Sequence, residues 1–180
     1  TCTATVEDSF SMTDQVSTSI TVDNRAPIVD SLTTSQNTIY TTSIVDCLAT
    51  VTDPDGDVLG TPIDSWTLNG QSFANNESSL TLTPQQVHVG DVLTCQVTIE
   101  DPSNDIGSDE IVWVISNIDP IIENMFLTPE ESFFEDELLC EVVASDMDED
   151  ELTISFIWEN TTTGEMYTST STTDTSATLD

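Results

Sequence analysis

The fold class predicted for this 180-residue chain is all-β: tandem antiparallel Greek-key β-sandwiches repeating with a period of 93 residues. Three observations predict it. The cysteines recur in register, Cys2 with Cys95 and Cys47 with Cys140. Their surroundings recur too: TCTATVED against TCQVTIED, VDCLATVTDPDGD against LLCEVVASDMDED, and the linkers VDNRAPIV and ISNIDPII, without a gap. A fixed period of domain length means an array of one domain type, and it places function in the array, its joints and its surface. Second, Thr, Ser, Val and Ile are abundant, and these residues favour the pleated surface of a strand. Third, short apolar runs alternate with clusters of Gly, Pro, Asn and Asp at the spacing of a two-sheet sandwich.

The elements follow in order. In the one complete unit, residues 25–117, strand A is expected over 27–32, entered through Pro27, which stiffens the linker as Pro120 does the next one. Strand B covers 44–52, passing through Cys47 and stopping at DPDGD. Strand C covers 63–68 around Trp66 and stops at NGQSFANN, read as a loop. Strand E covers 78–83, and TPQQVHVG then turns the chain into strand F, 91–100, which carries Cys95. DPSNDIGS leads on to strand G, 110–116, with Trp113 nearer the end of the unit. By the period, residues 1–24 supply strands F and G of a first unit and residues 118–180 supply strands A to E of a third, 176–180 matching strand E at 78–82. The two fragments add up to one domain. Either the chain is a window of a longer repeat protein, or it is a fibre subunit that polymerises by donating strands F and G to an identical neighbour.

Charge sets the partners. One Lys or Arg against 34 Asp or Glu gives a net charge of −33. Phosphate backbones and anionic lipid surfaces are repelled by such a chain, which excludes nucleic acid as a partner. No apolar run approaches the roughly 18 residues of a membrane span, so this segment is not expected to insert into a membrane. Any signal peptide or anchor is expected outside it. Four cysteines in a β-rich repeat without a C-x-x-C read as disulfides rather than metal ligands, which implies an oxidising, extracellular compartment.

VTDPDGD after strand B, SWTLNG at 65–70, VGDVLTCQVTIED along strand F and the closing VDNRAP resemble a known group of repeats. These are the tandem immunoglobulin-like, cadherin-like and polycystic-kidney-disease-type repeats of large prokaryotic cell-surface proteins, and the resemblance covers the whole chain. It implies a bridge between Cys47 and Cys95, on strands B and F of opposite sheets, with Trp66 packed against it. Cys2 and Cys140 take partners in a neighbouring repeat or subunit. It also implies use as stalks, spacers and adhesin shafts. Leu93 stands where antibody-type domains carry their tyrosine-corner Tyr, and ISNIDP lacks the counterpart of Asp23.

The acidic loops carry the chemistry. Strands B and F run in the same direction, so Asp53 and Asp101, each six residues past its cysteine, emerge at one end of the sandwich. Strand A starts at that end, which brings Asn24 there. The loop after strand B adds Asp55 and Asp57, and Glu100 precedes Asp101. The corresponding cluster of the third unit is Asp146, Asp148 and Asp150, beside Asn117 and Asp119; by cadherin-like analogy Asp91 reaches the same joint from below. Calcium takes six to eight oxygens, and crowded carboxylates repel unless a cation neutralises them. Asp, Pro and Gly are equally what a plain tight turn needs, so two readings of DPDGD stand side by side. An EF-hand is not one of them, because Gly56 occupies the fourth place rather than the sixth and Ile157 stands where the bidentate acid belongs.

Other features point away from catalysis. His88 is the single histidine and reads as a surface turn residue, leaving a triad or a His-rich metal site nothing to work with. Trp66, Trp113 and Trp158 read as core packing rather than a sugar platform, and carboxylates recurring in spacer loops do not suggest glycoside hydrolysis. An enzyme is not expected. Asn76 in NES and Asn160 in NTT have the form of glycosylation acceptors. The function expected is an extracellular, calcium-stiffened shaft or filament supporting surface attachment, its partners neighbouring repeats or identical subunits. A glycan-binding adhesin module is the alternative, to be marked by an exposed aromatic patch.

Overall fold

The computed structural model describes residues 1–133, 135–171 and 176–179, and its regular elements are all strands. The first unit is a hairpin of β1 (Cys2–Glu7) and β2 (Thr13–Thr18), paired antiparallel with Cys2 opposite Thr18.

The second unit is a two-sheet sandwich. One sheet has the order β4-β11-β10-β7-β8, built from β4 (Ile39–Tyr40), β7 (Ile63–Leu68), β8 (Gln71–Asn75), β10 (Val92–Glu100) and β11 (Ile106–Ser116). The other is made of β3 (Ile28–Thr33) on β6 (Leu48–Thr52) and β5 (Ile44–Asp46) on β9 (Ser79–Thr81). Strand B, expected as one run over 44–52, is therefore two pieces that meet at Cys47, pairing first with strand E and then with strand A. Two further expectations need correction, and one strand was not expected. NGQSFANN is not a loop: Asn69 (φ 51°) and Gly70 (φ 76°) form a two-residue turn with both residues left-handed, as a tight hairpin demands, and β8 follows. Strand G starts at Ile106 rather than at 110, because its first residues complete the ladder with β10, Glu100 facing Ile106. The short strand β4 pairs parallel with the end of β11, a non-local contact with no local signature.

The core lies between these sheets. Ile39, Val45, Cys47, Trp66, Leu82, Val87, Leu93, Cys95 and Val97 are buried, and Cys47 and Cys95 are bridged with Cα atoms 6.5 Å apart. Trp66 faces Cys95 in register on β7 and stacks on Trp113, ring centroids 6.1 Å apart at 17°. Trp113 is thus part of the central packing, not a peripheral residue. The indole N–H of Trp66 donates to the Glu77 carbonyl at 2.6 Å, so burial leaves no orphaned donor. Gly107 lets the chain enter strand A close to strand G: a Cβ there would lie 2.1 Å from the Pro27 carbonyl oxygen.

The third unit repeats the plan. β12 (Ile121–Thr128), β13 (Leu138–Ser145) and β16 (Ser176–Leu179) form one sheet in the order β12-β13-β16, and β14 (Ile154–Glu159) pairs with β15 (Met166–Ser171). Its packed centre is small, Val142 and Phe156 with Cys140, Ala144 and Ile154 around them. Cys2 and Cys140 are free thiols. Of 176–180, residue 180 lies outside the described residues.

Candidate metal centre

One local device recurs four times, at residues 8–12, 53–57, 101–105 and 146–150. An Asp opens each turn, and one of its carboxylate oxygens accepts the N–H groups of the third and fifth residues. Asp8 accepts from Phe10 and Met12 at 2.8 and 2.9 Å; Asp53 from Asp55 and Asp57 at 2.7 and 3.2 Å. Asp101 accepts from Ser103 and Asp105 at 2.8 and 3.0 Å, and Asp146 from Asp148 and Asp150 at 2.8 and 3.5 Å. The fourth residue is left-handed in every copy: Ser11 (φ 65°), Gly56 (φ 80°), Asn104 (φ 69°) and Glu149 (φ 62°). The side chain of Asp makes such a turn by bonding the backbone two residues on.

The copies separate what the turn needs from what it does not. Met12 fills the fifth place in the first copy and the turn forms all the same. The carboxylates of Asp57, Asp105 and Asp150 at that place are therefore not explained by turn formation. Asp53, Asp57 and Asp101 each present a carboxylate oxygen, and these oxygens lie within 4.8 Å of one another. The loop after strand B and the loop before strand G bring them together, as the parallel course of the two strands requires. Asp53 Oδ2 is buried and accepts no hydrogen bond. Asn24, in the linker, donates through Nδ2 to Asp101 Oδ2 at 2.7 Å and to Asp105 Oδ2 at 2.8 Å. The Asn24 amide foremost, then the N–H groups of Asp105, Ser103 and Asn104, hold the Asp101 carboxyl below the usual carboxylate range. Asp105, which shares the Asn24 amide with Asp101, is missing from the sequence reading, although DPSND shows the same five-residue spacing as DPDGD.

Asp146, Asp148 and Asp150 form a second group with oxygens within 4.8 Å. Asp148 is buried; its two oxygens accept the Thr41 hydroxyl and the Ile118 N–H. At the first joint the equivalent residue, Asp55, accepts the Arg25 N–H at 2.7 Å. It also pairs with the Arg25 guanidinium at 2.6 Å, and so turns away from the Asp53 group, whereas it was expected within it. The chain's single Arg, in a sequence that has no Lys, neutralises it instead.

Asp91 does not reach the second joint. Its oxygens accept the Asn69 amide at 2.7 Å and the His88 N–H at 2.8 Å, closing the turn before β10. Gln85 of that turn reaches the third unit, donating to Glu149 at 2.6 Å. Asn117 donates to the Ile118 carbonyl, and neither Asp119 nor Glu100 joins a carboxylate group among the described residues. The two sequon asparagines, Asn76 and Asn160, are exposed.

The donor set of the first group suits a hard divalent cation: oxygens only, several of them carboxylates, with one buried oxygen lacking a partner. Bound there, such a cation would neutralise like charges that otherwise repel at short range.

Residues 24–113, half of the chain, match the family described as Bacterial Ig domain. A search of curated proteins returns no match. The match begins at Asn24, the linker residue held to Asp101, and ends at Trp113, the indole stacked on Trp66 beside the bridge. Sandwich, bridge and match agree, and the chain belongs to the bacterial Ig domain family.

Proposed function

We propose that this chain forms part of an extracellular, cell-surface shaft of tandem Ig-like repeats, stiffened at its joints by calcium. The observation that carries the reading is the first acidic group. Its carboxylates exceed what the turns use, and Asp53 Oδ2 is buried without a partner. Asn24 ties the linker to the same group, so neutralising it fixes the angle at which successive units meet. A disulfide in the core accords with an oxidising, extracellular location. Burial of Trp66 and Trp113 removes two of the three indoles from any sugar platform, which favours the shaft over the adhesin module. The work of such a molecule is mechanical, and no catalytic step is needed.

Calorimetric titration with calcium chloride and small-angle scattering with and without chelator test this. Calcium is expected to bind, with a loss of at least tenfold in affinity in Asp53→Asn. Chelation is expected to make the rod flexible and cleavable near residues 24–27 and 117–120 while the bridged unit stays folded. Absence of binding heat together with unchanged maximum dimension would reduce the loops to plain turns.

A further inference from the structure

Asn69 is the only asparagine of the chain that a glycine follows. In such a pair the next backbone nitrogen attacks the side-chain amide carbon most easily, because glycine has no side chain to crowd the approach. The pair forms the turn between β7 and β8, and both residues are exposed to water. The Gly70 nitrogen donates no hydrogen bond among the described residues.

The fold holds the Asn69 amide elsewhere. Asn69 Nδ2 donates to Asp91 Oδ1 at 2.7 Å, Asn69 Oδ1 accepts the Val92 N–H at 2.9 Å, and the Asn69 N–H donates to the Val92 carbonyl at 2.8 Å. These partners stand at the entry to β10, so the side chain is clamped across the sheet rather than bent back along its own chain. Ring closure needs the reacting atoms within roughly 3 to 3.5 Å and aligned, and swinging the amide carbon to Gly70 breaks both side-chain bonds. Asp91 opposes the chemistry as well. The leaving nitrogen needs a proton, and the Asn69 amide, then the His88 N–H, keep the Asp91 carboxyl below the usual carboxylate range, so at neutral pH it has none to give. The clamp also braces its surroundings: Asp91 takes the His88 N–H with its other oxygen, in the turn whose Val87 is buried in the core and whose Gln85 reaches the third unit.

We propose that Asn69–Gly70 is a self-modifying site, silent while Asn69 is clamped to Asp91 and Val92, which turns into aspartate or isoaspartate once the clamp opens and thereby loosens that end of the second unit permanently. The Gly70 N–H gives its proton to a solvent base and the nitrogen attacks Cγ of Asn69. The bond from Cγ to Nδ2 breaks, and that nitrogen takes a proton from water and leaves as ammonia. Water then opens the cyclic imide at either carbonyl, with no change of oxidation state. The product carries a carboxylate where the amide donor faced Asp91, so an attraction becomes a repulsion between like charges. Isoaspartate also adds a methylene to the backbone of a two-residue turn that sets Leu68 opposite Gln71. The clamp does not re-form, and each opening leaves a lasting record in the chain. None of this depends on calcium at the joints.

The 180-residue polypeptide tests the proposal, incubated in mildly alkaline buffer with its bridge intact and, separately, reduced in urea. Peptide mapping by mass spectrometry follows residue 69 and separates it from any isomerisation at Asp55–Gly56. Modification at residue 69 is expected to be at least about tenfold slower in the folded chain. Asp91→Ala, checked for folding by Trp fluorescence, is expected to remove most of that protection. Should Asp91→Ala unfold the unit, urea below the unfolding midpoint replaces it: exchange of the Val92 amide with deuterium and modification at residue 69 are expected to accelerate in step. Asn69→Asp, the product made by substitution, is expected to speed exchange of the Val92 and His88 amides at least about tenfold. Equal rates in folded and unfolded chains, a folded rate indifferent to Asp91→Ala or to urea, or an Asn69→Asp chain whose two amides exchange as the parent's do would overturn it.

Discussion

At the scale of single residues, the stacked pair of Trp66 and Trp113 dominates the second unit. Trp66 touches the bridge and loses all exposure, and Trp113 covers it from β11. Truncation of a buried indole removes transfer energy and leaves a cavity, together about 3 to 5 kcal/mol. Trp66→Ala is expected to cost that much in denaturant unfolding. Trp113→Ala is expected to cost about as much, since it removes the aromatic stack as well, worth roughly 1 kcal/mol. A Trp113→Ala cost of only a few tenths of that would restore it to the periphery, where its place near the end of the unit had put it.

At the scale of elements, the turns do the positioning, and Asp91 shows how. The Asn69 amide first, then the His88 N–H, hold its carboxyl below the usual carboxylate range. The folded pKa therefore lies below the unfolded value of about 4, and in between the unfolded chain binds more protons. Stability from this group is present above about pH 4 and is lost as pH falls through the folded pKa. Asp91→Asn is expected to lower stability by about 1 kcal/mol at pH 7. Its deficit relative to the parent should shrink in acid. A deficit constant from pH 7 down to pH 3 in urea titrations would show that the charge plays no part.

At the scale of the molecule, one covalent link holds a unit whose neighbours have none. Cys47 and Cys95 are 48 positions apart, and closing such a loop stabilises by roughly 4 kcal/mol on chain-entropy grounds. A domain of this size has only about 5 to 15 kcal/mol to lose. Reduction is expected to lower the urea midpoint of the second unit by at least about a quarter, followed by Trp fluorescence. An unchanged midpoint would place the stability in the sheets alone.

Much of this was legible in the chain itself. The period of the cysteines and linkers, the alternation along strands B, C, F and G, and the turn chemistry of DPDGD and DPSND are local patterns, and local patterns survive without a fold. The convergence of Asp53 with Asp101 was also legible, because it follows from two strands running the same way. Asn69 and Gly70 carried a hairpin signal that reading NGQSFANN as a loop passed over. What only the tertiary structure decided depends on which side chains meet across the fold. Arg25 draws Asp55 out of the acidic group, Asn24 donates to Asp105 as well as to Asp101, Asp91 stays in its own turn while Gln85 and Thr41 reach the next unit, and Trp113 stacks on Trp66. These partners are separated by between 22 and 107 positions in the chain. Sequence spacing fixes which end of a strand a residue occupies, but the direction its side chain takes is settled by the strongest partner that folding brings within hydrogen-bond range.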